Sequence, residues 1–189
     1  QCVLSAHYNL TSMQTHQVIA EMLAIGVEIT ETQAQHFLDY AALLADWNAR
    51  FNLTAISEPA TVLTLHFVDS LTAMKVLPAR QHLRVLDVGT GAGFPGLALK
   101  IARPDLDMTV IDSTAKKITF CQEVIKRFAL NGARALHVRS EEFAQEVDHR
   151  ESYDVVIARA VAALPTLAEY LLPFVAVGGR RQGRGGSGA

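Results

Sequence analysis

The sequence predicts an α/β fold, in which a parallel sheet follows a helical appendage. A branched apolar run at 83–88 leads directly into a glycine-rich loop and then into a helical pattern. Further strand and helix patterns alternate after this loop, which is typical of a parallel sheet joined by right-handed crossovers. Residues 13–80, by contrast, carry helical patterns alone. Together these observations indicate a Rossmann-like sheet with an N-terminal helical region.

The helical region is expected to contain three helices. Apolar spacing predicts the first after Met13, and Gly26 is a typical helix end. Thr30 and Gln33 have the spacing of a capping box, in which each side chain accepts the other residue's backbone N–H. A second helix should therefore begin there. Pro59 predicts the start of a third helix, because proline is tolerated in the first helical turn.

The α/β core is expected at 81–179. Its strands are predicted at 83–88, 107–112, 134–139 and 153–158. Its helices are predicted at about 96–103, 116–130 and 164–175.

Both ends of the chain depart from these patterns. Residues 1–12 are expected to be a non-native or disordered leader, since the first helical pattern opens only at Met13. Residues 180–189 have the composition of a flexible linker where a fifth strand is expected. The strand at 153–158 would then form an uncovered apolar edge. We therefore expect this chain to be less stable than a relative with further strands.

Composition and charge narrow the function classes. Hydrophobic residues make up 50% of the 189, which is enough for a substantial core. The formal net charge of −2 is not the signature of a nucleic-acid-binding protein, so such binding would need a local basic face. Two cysteines without a CxxC motif indicate neither a disulfide framework nor a zinc site. Apolar runs shorter than the roughly 18 residues of a membrane helix, and the lack of a signal-peptide pattern, predict a cytoplasmic protein.

The glycine loop and an acid after the next strand together predict a nucleoside-cofactor site. Asp87 ends the first strand, and Gly89, Gly91 and Gly93 follow it. Glycines allow a sharp turn and a close approach of backbone to ligand, and the following helix presents unpaired N–H groups. Asp112 ends the second strand, where a carboxylate can accept hydrogen bonds from both ribose hydroxyls. Simple turn chemistry and a solvated strand-end acid are the competing interpretations.

Several motifs in a fixed order resemble one known family. They are Trp47-Asn48, Asn52-Leu53-Thr54, His66, Asp69-Ser70-Leu71, Asp87 to Gly96, Asp112-Ser113 and Ala158-Arg159-Ala160. From about Met13 to Gly179 the combination is similar to the RsmG family, also called glucose-inhibited division protein B. The resemblance implies a class I S-adenosyl-L-methionine-dependent methyltransferase that modifies N7 of one guanosine in bacterial small-subunit (16S) ribosomal RNA. The sequence departs from the family at Leu65, where the family has a basic residue, and after Gly179, where the distal strands are absent.

The resemblance implies S-adenosyl-L-methionine as the cofactor, bound over the glycine loop and Asp112. Phe94 is expected to pack on the ligand. Asp87 is expected either to order the glycine loop or to meet the ammonium group of the cofactor. By the resemblance alone, four more residues lie beside the adenosine or its adenine: Ser113, Thr114, Ser140 and Glu141. Ser140-Glu141 also has the pattern of a helix N-terminus.

Arg159 is the residue most strongly expected to serve function. A guanidinium at the end of an apolar strand, on the ligand-binding edge, needs a partner. That partner is the cofactor carboxylate, RNA, or a carboxylate within the protein. Arg139, Lys116 and Lys117 are further candidates for RNA contact, with a solvated helix face as the competing interpretation.

His66 and Asp69 lie three residues apart on one predicted helix, so their side chains can meet. We interpret them as a structural pair that joins the helical region to the site. No third ligand stands at a suitable spacing, so no metal site is expected.

No general base is expected to be required, because N7 of guanine carries a free lone pair and no proton. Positioning of the two reactants would then supply most of the catalysis. The expected partner is 16S rRNA or the small ribosomal subunit, and the protein is expected to act as a monomer. The alternatives are an NAD(P)-binding oxidoreductase, since 91–96 satisfies G-x-G-x-x-G, a non-catalytic truncated domain of the same fold, and a small-molecule methyltransferase.

Overall fold

A computed structural model describes residues 15–55, 59–159 and 171–176 of the chain. The predicted leader at 1–12, the predicted tail at 180–189 and most of the predicted helix at 164–175 lie outside these described residues. Within them, no helix is long and apolar enough to cross a lipid bilayer.

The chain begins with the predicted helices. They are α1 (Thr15–Ala24), α2 (Glu31–Phe51) and α3 (Pro59–Val62), which continues through a π-helical segment (Leu63–Val68) into α4 (Asp69–Thr72) and a 3-10 turn (Ala73–Lys75). The capping box is present as predicted, with Gln33 N–H donating to Thr30 Oγ1 and Thr30 N–H donating to Gln33 Oε1.

The remaining described elements form the sheet and its connections. The strands are β1 (Arg84–Val88), β2 (Asp107–Asp112), β3 (Ala133–His137) and β4 (Val155–Ala158). The helices are α5 (Gly96–Ala102), α6 (Ala115–Arg127), α7 (Ser140–Phe143) and a 3-10 turn (Leu172–Phe174). The strands are parallel and lie in the order β3-β2-β1-β4, which confirms the predicted α/β class.

The register brings the carboxyl ends of the strands to one edge. Val88 at the end of β1 lies opposite Ile111 of β2 and Ala158 of β4. Asp112 at the end of β2 lies opposite His137 of β3. Ligands of parallel α/β sheets bind at this edge. Asp112, one of the predicted site residues, lies at this edge.

Several sequence-based boundaries are wrong. β3 ends at His137 rather than at 139, and β4 begins at Val155 rather than at 153. The helix predicted to reach residue 130 ends at Arg127, because the chain reverses at Ala129, which has φ +47°, and Leu130 N–H donates to Ile125 O. The predicted edge strand is also partly covered. Tyr153 pairs with Val175 in a parallel bridge, so the chain returns beside the start of that strand.

The helical region packs on the glycine loop. One hydrophobic core contains residues of α2, of the π-helical segment and of the sheet. Tyr40 of α2 is completely buried, and its hydroxyl donates to Ala92 O in the loop over 2.6 Å. The helical region therefore supports the loop from behind.

Gln33 provides a prediction for the helical region. Its amide nitrogen donates to Ile101 O (2.8 Å) and Ala102 O (3.1 Å) at the end of α5, in addition to its role in the capping box. Gln33→Ala should therefore lower the free energy of unfolding by about 1–3 kcal/mol in urea denaturation. Gln35→Ala is the matched control, since Gln35 is exposed on the same helix and should change stability by less than about 0.5 kcal/mol. Equal effects of the two substitutions would contradict this role.

Candidate cofactor site

The glycine loop is anchored to the end of β2. Gly89 N–H and Thr90 N–H both donate to Ile111 O, over 2.9 and 3.0 Å. Gly91 and Gly93 have φ of +62° and +89°, the left-handed region that favours glycine. The loop thus turns sharply back over the carboxyl edge of the sheet.

Asp87 orders this loop from below. The residue is fully buried, and its Oδ2 accepts hydrogen bonds from Thr90 Oγ1 (2.5 Å) and from the N–H of Gly96 (2.8 Å), the first residue of α5. Its Oδ1 is buried without a hydrogen-bond partner among the described residues. Burial raises the pKa of Asp87 to about 6, although the hydrogen bonds from Thr90 and Gly96 act in the opposite direction. These contacts fit the loop-ordering interpretation, and contact with a cofactor ammonium group stays a prediction.

The raised pKa of Asp87 predicts a pH dependence of stability. An exposed aspartate has a pKa near 3.9, so folding makes the Asp87 carboxyl hold its proton more strongly. This tighter proton binding stabilises the folded state at low pH. The stabilisation is lost as the pH rises from about 4 to about 6, so the free energy of unfolding falls. Relative to Asp87→Asn, which cannot titrate, the natural chain should lose about 2–3 kcal/mol between pH 4 and 7 in urea unfolding. A difference that is constant or that grows with pH would contradict the raised pKa.

Asp112 closes the other side of the loop. Its Oδ2 accepts from Gly91 N–H over 3.0 Å, and its Oδ1 accepts from Thr114 N–H over 2.8 Å. Lys117 Nζ lies 3.7 Å from Oδ2. An ionised carboxylate has about four acceptor positions, so each oxygen keeps one for a ligand. The carboxylate can therefore accept from a diol while it holds the loop.

A cleft of about 380 Å³ opens at the carboxyl ends of β1, β2 and β3. Six residues predicted as cofactor contacts line it: Gly89, Asp112, Ser113, Thr114, Ser140 and Glu141. Arg139 and Lys117, which were assigned to RNA by sequence, also line this cleft. Lys116 does not line it, and its Nζ donates to Phe51 O at the end of α2.

Phe94 lies away from this cleft, in the core. The residue is 4% exposed, and its ring stacks with those of Tyr40 and His66 at centroid distances of 5.3 and 4.6 Å. Phe94 therefore joins the glycine loop to the helical region. Its predicted contact with a cofactor remains a prediction.

Arg159 follows β4 and binds the segment around α4. One terminal nitrogen donates to Asp69 Oδ2 (2.8 Å) and to Leu65 O (3.3 Å). The other lies 3.2 Å from His66 Nδ1. The internal salt bridge considered from sequence is thus present, and contact of Arg159 with a cofactor or RNA stays a prediction.

His66 is buried in this cluster. Burial lowers its pKa and Arg159 lowers it further, whereas Asp69 raises it. Its Nδ1 accepts from Arg159, and its Nε2 lies 3.3 Å from Thr54 Oγ1. The predicted pair of His66 and Asp69 therefore meets through Arg159, which contacts both. Among the described residues, no group of three or more His, Cys, Asp or Glu side chains is arranged to hold a metal ion.

A second cleft, of about 370 Å³, lies between α4, the loop after β1 and the end of β4. Among its described lining residues, Asp69 and Arg159 are the charged ones, and Pro95, Ile157 and Leu171 are apolar. Sequence reasoning did not find this cleft, because its walls come from four distant segments. It also missed Tyr40 as a support for the loop, since the only signal was the place of Tyr40 on an apolar helix face.

The sheet order and the glycine loop define a Rossmann-like protein, with a cleft at the carboxyl ends of β1, β2 and β3. In fold it is similar to a solved protein-L-isoaspartate O-methyltransferase, with a TM-score of 0.51 and 13% sequence identity over 77% of this chain and 47% of that chain.

Residues 33–181 match the family described as rRNA small subunit methyltransferase G (GidB), and the chain belongs to this family. This confirms the resemblance found in the sequence. Two relatives named ribosomal RNA small subunit methyltransferase G come from Desulforamulus reducens and Alkaliphilus oremlandii. They are 49% and 44% identical over 80% and 82% of this chain. The chain spans 63% and 65% of their respective lengths.

Proposed function

We propose that this chain carries S-adenosyl-L-methionine-dependent methylation of N7 of a guanosine in 16S ribosomal RNA. The observation that carries the proposal is the cleft at the carboxyl ends of β1 to β3, where the polar residues predicted as cofactor contacts lie together. Membership of a family described as rRNA small subunit methyltransferase G supports the substrate class.

The cleft suits the cofactor in size and in chemistry. A volume of about 380 Å³ lies within the usual range for small-molecule sites. Asp112 would accept hydrogen bonds from the ribose hydroxyls with the acceptor positions that Gly91 and Thr114 leave free. Four residues would surround the adenosine end: Ser113, Thr114, Ser140 and Glu141. Gly89 also lines the cleft.

In the proposed reaction the protein acts mainly by positioning. When bound, the cofactor supplies an electrophilic methyl group on its sulfonium. Asp87 fixes the loop through Thr90 and Gly96. Arg159 is held beside the loop by Asp69 and His66, where it can order the substrate. Guanine N7 needs no deprotonation, so no residue is assigned as a general base, and orientation supplies the rate enhancement.

We further propose that the protein acts as a monomer in the cytoplasm, without a metal. The ribosomal subunits that it would modify are cytoplasmic. Arg139 and Lys117 line the cleft and would contact RNA phosphates there, and Lys116 would contact RNA outside it.

Transfer of tritiated methyl from S-adenosyl-L-methionine to undermodified ribosomal subunits tests the proposal. Label should enter the RNA of the small subunit and not that of the large subunit. The full-length relative from Desulforamulus reducens serves as the reference enzyme. Label in large-subunit RNA, or in neither RNA with this chain while the relative labels the small subunit, would contradict the proposal.

A binding titration distinguishes the proposed methyltransferase from the alternative of an NAD(P)-binding oxidoreductase. S-adenosyl-L-methionine should bind in calorimetry, and NADH in large excess should not displace it. Displacement by NADH, with no binding of S-adenosyl-L-methionine, would favour the NAD(P)-binding alternative.

A further inference from the structure

We propose that Asp69 selects guanine, by accepting hydrogen bonds from the Watson–Crick edge of a base bound in the second cleft. This inference rests on the proposed function, because it assigns the base-recognition group of the same reaction. It concerns a cleft separate from the one that is proposed to hold the cofactor.

The second cleft has the character of a site for a flat heterocycle. Its volume is about 370 Å³, and its walls include the apolar residues Pro95, Ile157 and Leu171. The charged groups are concentrated at Asp69 and Arg159. Apolar walls with a few convergent polar groups are typical of small-molecule sites, and a nucleobase has apolar faces and a polar edge.

Asp69 is a polar group of this cleft that can accept further hydrogen bonds. Its Oδ2 accepts from Arg159, and its Oδ1 has no hydrogen-bond partner among the described residues. The side chain is 57% exposed. Arg159 directs three of its five N–H groups to Asp69 Oδ2, Leu65 O and His66 Nδ1. Among the described lining residues, Asp69 therefore presents carboxylate acceptor positions to the cleft.

Guanine is the base that matches such an acceptor. Its Watson–Crick edge carries two adjacent donors, N1–H and the 2-amino group, which one carboxylate can accept together. The corresponding edges of adenine and cytosine contain an acceptor nitrogen, and uracil offers a single N–H between two carbonyls. Unstacked RNA bases are commonly read on this edge. N7 lies on the opposite side of the purine, so a base held in this way leaves N7 free for methyl transfer.

A purely structural role for Asp69 is the competing explanation, and it predicts a different result. Ion pairs between exposed groups contribute little to stability, and the Arg159 and Asp69 side chains are 30% and 57% exposed. Removal of Asp69 should therefore leave the fold intact. A structural residue would affect guanosine and inosine substrates equally, whereas a base-selecting residue would not.

The test is a double-mutant cycle between the protein and the base. The substrate is an unmodified rRNA fragment with either guanosine or inosine at the target position, since inosine lacks only the 2-amino group. For the natural chain, inosine should lower kcat/KM by about tenfold or more, the effect of losing a hydrogen bond to a charged group. For Asp69→Ala, guanosine should be methylated more slowly by a similar factor, and inosine should cause no further loss. Asp69→Asn, which keeps one acceptor oxygen, should give an intermediate ratio.

Asp46→Ala is the matched control. Asp46 is 58% exposed and pairs with Arg50 over 2.7 Å, so it matches Asp69 in the exposure of the carboxylate and in the ion-pair distance. This variant should keep the guanosine-to-inosine ratio of the natural chain. Affinity for S-adenosyl-L-methionine should be unchanged in Asp69→Ala, because Asp69 does not line the cofactor cleft.

Two results would overturn the inference while the proposed function stands. They are an unchanged guanosine-to-inosine ratio in Asp69→Ala, and a loss of cofactor affinity in that variant. Absence of methylation of the guanosine fragment by the natural chain would instead count against the proposed function. Fluorescence anisotropy then measures the Kd of each variant for the guanosine and the inosine fragment. A guanosine-to-inosine affinity ratio that is the same in all variants would overturn the role of Asp69.

Discussion

Gly93→Ala is expected to destabilise the chain by about 3 kcal/mol or more, which is close to unfolding for a domain of marginal stability. A Cβ at this position would collide with the Tyr40 hydroxyl and would lie 2.9 Å from Leu97 Cδ1. The φ of +89° adds backbone strain for any residue with a side chain. Because Tyr40 is completely buried and donates to Ala92 O, it cannot move away without losing a buried hydrogen bond. Urea denaturation followed by circular dichroism measures the loss.

Gly91→Ala is the control for backbone strain alone. Gly91 has φ +62°, and a Cβ there would meet no atom within 4 Å. Its cost should be about 1–2 kcal/mol, the price of a left-handed conformation. Adding Tyr40→Phe to Gly93→Ala should recover part of the loss, since the nearest atom is removed. Equal losses for Gly91→Ala and Gly93→Ala would contradict the packing of α2 against the loop.

Asp112→Ala is expected to weaken S-adenosyl-L-methionine binding by about a hundredfold or more. The substitution removes the proposed ribose contacts, and it also removes the acceptors that hold Gly91 N–H and Thr114 N–H. Hydrogen bonds to charged groups contribute about 1.5–3 kcal/mol each, and 1.4 kcal/mol corresponds to tenfold in affinity. Isothermal titration calorimetry with the purified chain measures the change.

Asp107→Ala provides the comparison for Asp112→Ala. Asp107 begins the same strand, is exposed, and lies at the opposite edge of the sheet. Its removal should change cofactor affinity less than about twofold, within the range of surface substitutions. If the two variants bind the cofactor equally well, Asp112 is not a cofactor contact.

The sheet was predictable because its signals are local. Branched apolar runs, the alternating helices and the glycine loop each determine structure within a few residues, and the parallel edge then brings Gly89, Asp112 and Ser140 together. The capping box of Thr30 and Gln33 was predictable for the same reason. Distant residues meet at this cleft only because parallel strands end on one side.

Contacts between distant segments were not predictable. Lys100 is an example, since a lysine within a helical pattern is normally solvated, yet it is 2% exposed and its Nζ donates to Pro104 O and Leu106 O. The partners of Arg159 likewise depend on how the segment around α4 packs beside β4. Sequence showed that this guanidinium needs a partner, and only the packing determined which groups it contacts.

The chemical identity of the product is the most direct test of the central claim. RNA from undermodified small ribosomal subunits is incubated with the chain and S-adenosyl-L-methionine, and N7-methylguanosine is located by reduction and strand scission. The account predicts cleavage at a single guanosine, absent when the cofactor is omitted. Methylation at a ring carbon, an amino nitrogen or a ribose hydroxyl, with no scission, would contradict it.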